Sequence, residues 1–197
     1  MQSFVWMNSI GTINMCTIKT IISILSLLLI TSTYAQQYTP VDNRSTIKFT
    51  IKNFGINVSG TIKGLTGTIH FEPDNIQSTA FNVRLDASTI NTDNNTRDNH
   101  LKKEEYLNIK KYQYISFSST QVKITGDGKY LLQGNITIKG VTKPITIPFS
   151  VINQNDDLLF TGDVNLNRRD FKVGGNSFIM SDNLFVTLSI YAKKVNL

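Results

Sequence analysis

From Ser45 to Ile190 the chain repeats one signal, an apolar residue at every second position, and no other feature constrains its fold as tightly. A period of two sends alternate side chains to opposite faces of an extended strand, whereas a helix repeats every 3.6 residues. Ile47, Phe49 and Ile51 alternate with Lys48, Thr50 and Lys52; Phe81, Val83 and Leu85 alternate with Asn82, Arg84 and Asp86. Ile115 and Phe117, Ile136 and Ile138, Ile145 to Val151, Phe160 to Leu166, and Leu184 to Ile190 follow the same rule. Residues that accept turn dihedrals fall between these runs: Glu72-Pro73-Asp74-Asn75, Gly126-Asp127-Gly128-Lys129, Asn153 to Asp157, and Gly174-Gly175-Asn176. About eight strands, each with one apolar face, predict an all-β antiparallel domain, either a sandwich or a barrel, and closure into a barrel removes exposed edges.

One stretch departs from the period. Thr96 to Leu107 is rich in helix formers, offers Thr96 or Asp98 as a cap and sets Leu101 near Glu105 and Tyr106 at helical spacing, which predicts one short α-helix.

The first 35 residues read as a secretory signal peptide, so the domain is expected over 36–197. Ile21 to Ile30 is an aliphatic block interrupted only by Ser23 and Ser26, Lys19 precedes it, and Thr33-Tyr34-Ala35 places small residues where a signal peptidase reads them. The block is shorter than the roughly 20 apolar residues a membrane-spanning helix needs. An exported protein, periplasmic or secreted, is the expectation; retention of the block as an anchor is the alternative. Residues 1–14 carry no charge and Lys19 lies close to Met15, which leaves Met1 and Met15 both open as the start.

Beyond the leader, 19 Lys and Arg stand against 14 Asp and Glu, and no cysteine remains. The charge is dispersed and broken by acids, as on a solvated surface that can favour peripheral contact with an anionic membrane. There is no dense basic stripe of the kind that marks a nucleic-acid binder. His70 and His100 are the only histidines, and neither sits in a nucleophile elbow or a metal-binding spacing, so the residues designate no catalytic group and no metal site.

Four separated motifs carry a family resemblance. Tyr38-Thr39-Pro40-Val41-Asp42 with Ser45, Phe49 and Lys52-Asn53-Phe54-Gly55, and then Gly67 to Pro73, form the first. Ala87-Ser88-Thr89-Ile90-Asn91-Thr92 leading to Arg97-Asp98-Asn99-His100-Leu101 and on to Tyr112, Ile115, Phe117 and Ser119 form the second. Ile138-Lys139-Gly140-Val141-Thr142-Lys143-Pro144-Ile145 and Asn167-Arg168-Arg169-Asp170-Phe171 complete the set. In this order they resemble the YceI family of polyisoprenoid-binding proteins. Asn53 stands where that family usually has His, and Ile62 and Leu65 where phenylalanines are common, so the cavity near the first hairpin is expected to differ in shape.

The resemblance implies an extended, lipocalin-like eight-stranded barrel with one helix and an apolar tunnel for a bound isoprenoid lipid, polyprenyl or quinone, with no other cofactor. Alternation nominates Phe49, Ile51, Phe54, Ile69, Phe71, Phe81, Val83, Leu85, Ile115, Phe117, Ile136 and Ile138 as its lining. Arg97, Asp98 and His100, with Arg169 and Asp170, are candidates for a polar mouth; helix capping and turn ion pairs are the competing explanation of the same residues. A filled core, a hydrolase or isomerase using His100 on a small apolar substrate, and an adhesive surface protein are the rival readings. The oligomeric state is left open, a homodimer included.

Overall fold

Ten strands make one antiparallel sheet in the computed structural model, which describes residues 36–196; the predicted leader lies outside them. In chain order they are β1 (Gln37–Pro40), β2 (Thr46–Asn53), β3 (Ile56–Ile62), β4 (Thr66–His70), β5 (Ala80–Asp86), β6 (Tyr114–Gly126), β7 (Lys129–Ile138), β8 (Val141–Gln154), β9 (Asp157–Asn167) and β10 (Met180–Lys194). Each of β4 to β9 pairs with the next, and β1 pairs with both β4 and β10, which closes the ring.

The expected eight strands and the observed ten are the same wall counted differently. β1 and β2 lie along the same edge of β10, Pro40 opposite Ala192 and Thr46 opposite Ser189. Six residues on one side advance against three on the other, and the surplus is taken up by the 3₁₀ turn Asp42–Arg44. β3 and β4 are similarly one strand broken over residues 63–65, and they pair with β2 and β1 respectively. The Asp42 carboxylate ties the two breaks together by accepting the Leu65 N–H at 2.8 Å.

The two ends of the barrel differ. At the closed end, Phe71, Phe81, Tyr130, Phe149 and Phe160 form an aromatic plug: Phe71 meets Tyr130 and Phe160 edge-on at 5.4 Å, and Tyr130 stacks on Phe149 at 5.1 Å. Edge-to-face and offset arrangements of this kind hold rings together beyond the area they bury. Ile69, 1% exposed, packs beside them.

At the other end β3 stays paired with β2 while its outer edge turns away from β5, and Thr61 on that edge forms an isolated bridge to Asn91. The segment between β5 and β6 covers this opening. It includes one helix, α1 (Asn95–Leu101), which is shorter than the sequence suggests. Its cap is neither Thr96 nor Asp98: the Asn94 side chain accepts the Arg97 N–H at 3.0 Å. Beyond Leu101 the spacing for a helix persists, but the Leu107 N–H reaches back six residues to the Leu101 carbonyl, and Asn108 takes a left-handed φ of 49°. That turn brings Leu107 under α1 to pack with Ile62, Ala87 and Ile90; burial of a leucine outweighs helical propensity here.

Near the closed end, Asp157 pins the barrel seam. Its carboxylate accepts the Tyr191 O–H at 2.6 Å and the Lys194 N–H at 2.9 Å, while the Arg44 guanidinium lies 3.3 Å over the Tyr191 ring. The hydrogen bond from Tyr191, helped by that from Lys194, holds the Asp157 carboxyl below its ordinary pKa; Ser88 does the same for Asp86. A carboxyl whose pKa is lowered by folding binds its proton more readily in the unfolded chain. Its contribution to stability is therefore complete above the unfolded value of about 4 and lost as the pH falls through the lower folded value. Thermal unfolding followed from pH 7 to pH 3 is expected to show this acid loss, and Asp157→Asn is expected to flatten it.

Candidate functional site

Between the plug and the open end the barrel is incompletely filled, leaving an apolar cavity of about 310 Å³ that runs to the mouth. Its walls are the inward positions of every strand from β2 to β10 together with α1 and the turns after it. Ten of the twelve residues nominated by alternation border it: Phe49, Ile51, Ile69, Phe81, Val83, Leu85, Ile115, Phe117, Ile136 and Ile138. The barrel keeps this space open partly by where it uses glycine. Gly60 faces Phe49 across the strand pair, and a Cβ there would lie 2.5 Å from the ring's Cζ; Gly134 sits equally tightly under Phe117. Each ring lies against backbone where a side chain would otherwise push it into the lumen.

Two nominations are corrected. Phe71 is on the inward face, but it belongs to the plug and does not border the cavity. Phe54 is not in a strand: with Gly55 it forms the two-residue turn between β2 and β3, at φ of 51° and 75°, and its ring is 70% exposed. Alternation in the sequence missed a second set of lining residues. Leu101, Tyr106 and Leu107 of the mouth segment, Val173 before β10 and Met180 at its first position come from stretches without a strand period; Leu184, Leu188 and Ile190 alternate as the others do.

The polar candidates separate into two hydrogen-bonded groups. Asp98 is buried and its Oδ1 accepts both the N–H (2.9 Å) and the hydroxyl (2.5 Å) of Thr92. Arg97 does not pair with it: Nε donates to the Thr92 hydroxyl at 2.8 Å and Nη2 to the Thr92 carbonyl at 2.7 Å. Arg97 lines the cavity at its mouth, and its Nη1 has no hydrogen-bond acceptor among the described residues. His100 is half exposed beside Glu105, at 3.7 Å, and does not border the cavity, which places the one residue nominated for catalysis outside it. Among the described residues no group of three or more His, Cys, Asp or Glu is placed to hold a metal.

The second group gathers around Arg168, which the sequence offers only as a member of a turn ion pair with Arg169 and Asp170. Arg168, 3% exposed, spends all five N–H groups: on the carbonyls of Ser181 (3.0 Å), Val173 and Gly175 (both 2.8 Å) and Met180 (3.3 Å), and on Asp182 Oδ1 (2.9 Å). Arg169 joins the same oxygen at 2.7 Å. The turn ion pair expected with Asp170 is therefore made with Asp182, thirteen and fourteen residues away, while Asp170 is exposed and borders a separate small pocket with Lys143 and Asn165. Neither Arg169 nor Asp170 borders the tunnel.

A ring of eight antiparallel strands, sealed by aromatics at one end and keeping an apolar lumen open at the other, defines a barrel of the class that encloses one small apolar ligand. The chain belongs to the YceI-like domain family, whose sequence profile matches residues 38–192. A UPF0312 protein of Pectobacterium atrosepticum is 37% identical over 112 residues, 56% of this chain and 58% of that protein, so the match spans little more than half of the relative. The crystal structure of BcnA of Burkholderia cenocepacia superposes with a TM-score of 0.73 at 20% identity, covering 77% of this chain and 98% of that one. A polyisoprenoid binding domain from Saccharophagus degradans gives 0.65 at 12% identity, covering 80% and 98%. At these identities the two structures establish the fold. No helix among the described residues is long and apolar enough to cross a membrane.

Proposed function

We propose that this protein is an exported binding protein that holds a long isoprenoid chain, of polyprenyl or quinone type, in its barrel and does not transform it. The observation that carries the reading is the apolar, unfilled lumen running from the aromatic plug to Arg97 at the mouth. Each methylene moved from water into such a lumen contributes about 0.8 kcal/mol, so affinity grows with chain length and needs few polar contacts. The polyisoprenoid-binding description of the Saccharophagus relative and the family membership support the ligand class. In this reading Arg97 Nη1 meets a quinone oxygen or a phosphate, and the lining residues named above contact the tail.

The test is solvent extraction of the purified protein followed by mass spectrometry, with added polyprenols and quinones of graded length as a second arm. A co-purifying isoprenoid, and binding that strengthens with each added unit, is expected. No apolar lipid in the extract and no binding of any added chain would end this proposal.

A further inference from the structure

Four apolar side chains stand in solvent on one rim of the open end. Phe54 and Ile56 are each 70% exposed, Phe178 fully so, and Ile179 about half. They come from two segments that the backbone holds side by side: the Phe54 N–H donates to the Ile179 carbonyl at 2.8 Å, and Asn53 pairs with Met180. Phe54 also occupies the first central position of its turn with positive φ. That position favours Asn, Asp or Gly, and a bulky aromatic there is held at a cost in backbone energy that gains no burial within the fold.

Charge is distributed to match. The segments at this end, 52–57, 91–113, 139–143 and 168–182, carry eleven Lys and Arg against six Asp and Glu. Those at the plugged end, 36–45, 71–79, 126–129, 153–158 and 192–196, carry four against six. Lys52 and Lys172 lie in the same segments as the apolar rim and are exposed. An apolar rim set among cations is the composition that enters a headgroup boundary and is attracted by anionic lipid; an apolar patch awaiting a protein partner needs no such bias of charge toward one end.

We propose that the open end docks onto an anionic lipid bilayer, with Phe54, Ile56, Phe178 and Ile179 entering the interface and Lys52 and Lys172 facing lipid phosphates. Docking stands on the rim and the charge alone. Its consequence, that an apolar chain passes between bilayer and tunnel without crossing water, rests on the function proposed above.

Two fluorescent reporters in the full chain separate the ends: Phe178→Trp at the rim and Asp127→Trp at the plugged end, each with Trp6→Phe. With phosphatidylglycerol vesicles the rim reporter is expected to shift to the blue and to be quenched by brominated acyl chains, while the other is not. Adding Phe54→Ser is expected to weaken that response about tenfold, and phosphatidylcholine vesicles or high salt are expected to weaken it as well. Equal responses from both reporters, or a response indifferent to Phe54→Ser and to lipid charge, would overturn the proposal. So would self-association abolished by Phe54→Ser with no response to vesicles, which would make the rim a contact between copies. A protein that docks but retains no isoprenoid would leave docking standing and remove the tunnel reading.

Discussion

Ile136→Trp is expected to abolish retention of an isoprenoid while leaving the barrel folded. Ile136 lies opposite Phe117 on the cavity wall and is only partly buried, because its neighbour on the inner side is open lumen. A larger ring there extends into space that ligand would use, so the loss of stability is expected to stay below the usual cost of overpacking, about 1–3 kcal/mol. Each methylene of ligand that the indole excludes removes about 0.8 kcal/mol of binding. Exclusion of a single five-carbon unit costs about 4 kcal/mol, or roughly three orders of magnitude in affinity. The control is Ala192→Leu in the plug, where the site is fully buried and closely packed. There the expectation reverses: stability falls by about 1–3 kcal/mol and retention persists. Lipid content by mass spectrometry and thermal unfolding of the two variants read both halves. Retention unchanged in Ile136→Trp would mean that the chain does not occupy the lumen.

Arg168→Met is expected to give the largest loss of stability among single substitutions at the mouth. It removes a buried cation and orphans four backbone carbonyls from the segment between Val173 and Ser181. Breaking a buried, hydrogen-bonded charge costs about 3–5 kcal/mol, and for a domain of this size each kcal/mol lowers the melting temperature by about 2–4 °C. Arg168→Lys is not expected to rescue it, since one ammonium cannot reproduce a planar fork with five donors. Arg169→Ala, which removes the exposed partner of the same carboxylate, should cost about 1 kcal/mol or less. Hydrogen exchange would localise the loss to the amides over 173–182; a uniform loss of protection across the barrel would show that Arg168 has no special hold on the mouth.

Strand faces were legible in the sequence and depth along the barrel was not. Ile69 and Phe71 share a face, as their spacing requires, yet Phe71 belongs to the plug while Val83 and Ile136, reading identically in the sequence, border open lumen. Alternation specifies which side of a sheet a residue occupies; whether that side is filled depends on side chains from strands a hundred residues away. Phe54 failed for a local reason: a two-residue turn announced only by Gly55 takes Phe54 out of the strand. Asp182 was hidden because its partners, Arg168 and Arg169, precede it by a loop rather than a turn. The helix was found and overextended, since Leu107 is recruited by a cluster that the segment itself does not contain.

The ring is sealed by a short first strand: Tyr38, Thr39 and Pro40 lie against Lys194, Lys193 and Ala192, and Gln36 reaches Val195 across 159 residues. Contacts so distant in sequence form late, because the loop they close must be ordered first. The hairpins from β4 to β10 can zip one after another as the chain emerges, but β1 has no partner on β10 until the last strand has been synthesised. A nascent chain of this kind remains an open, unsealed sheet until β10 is free to meet β1.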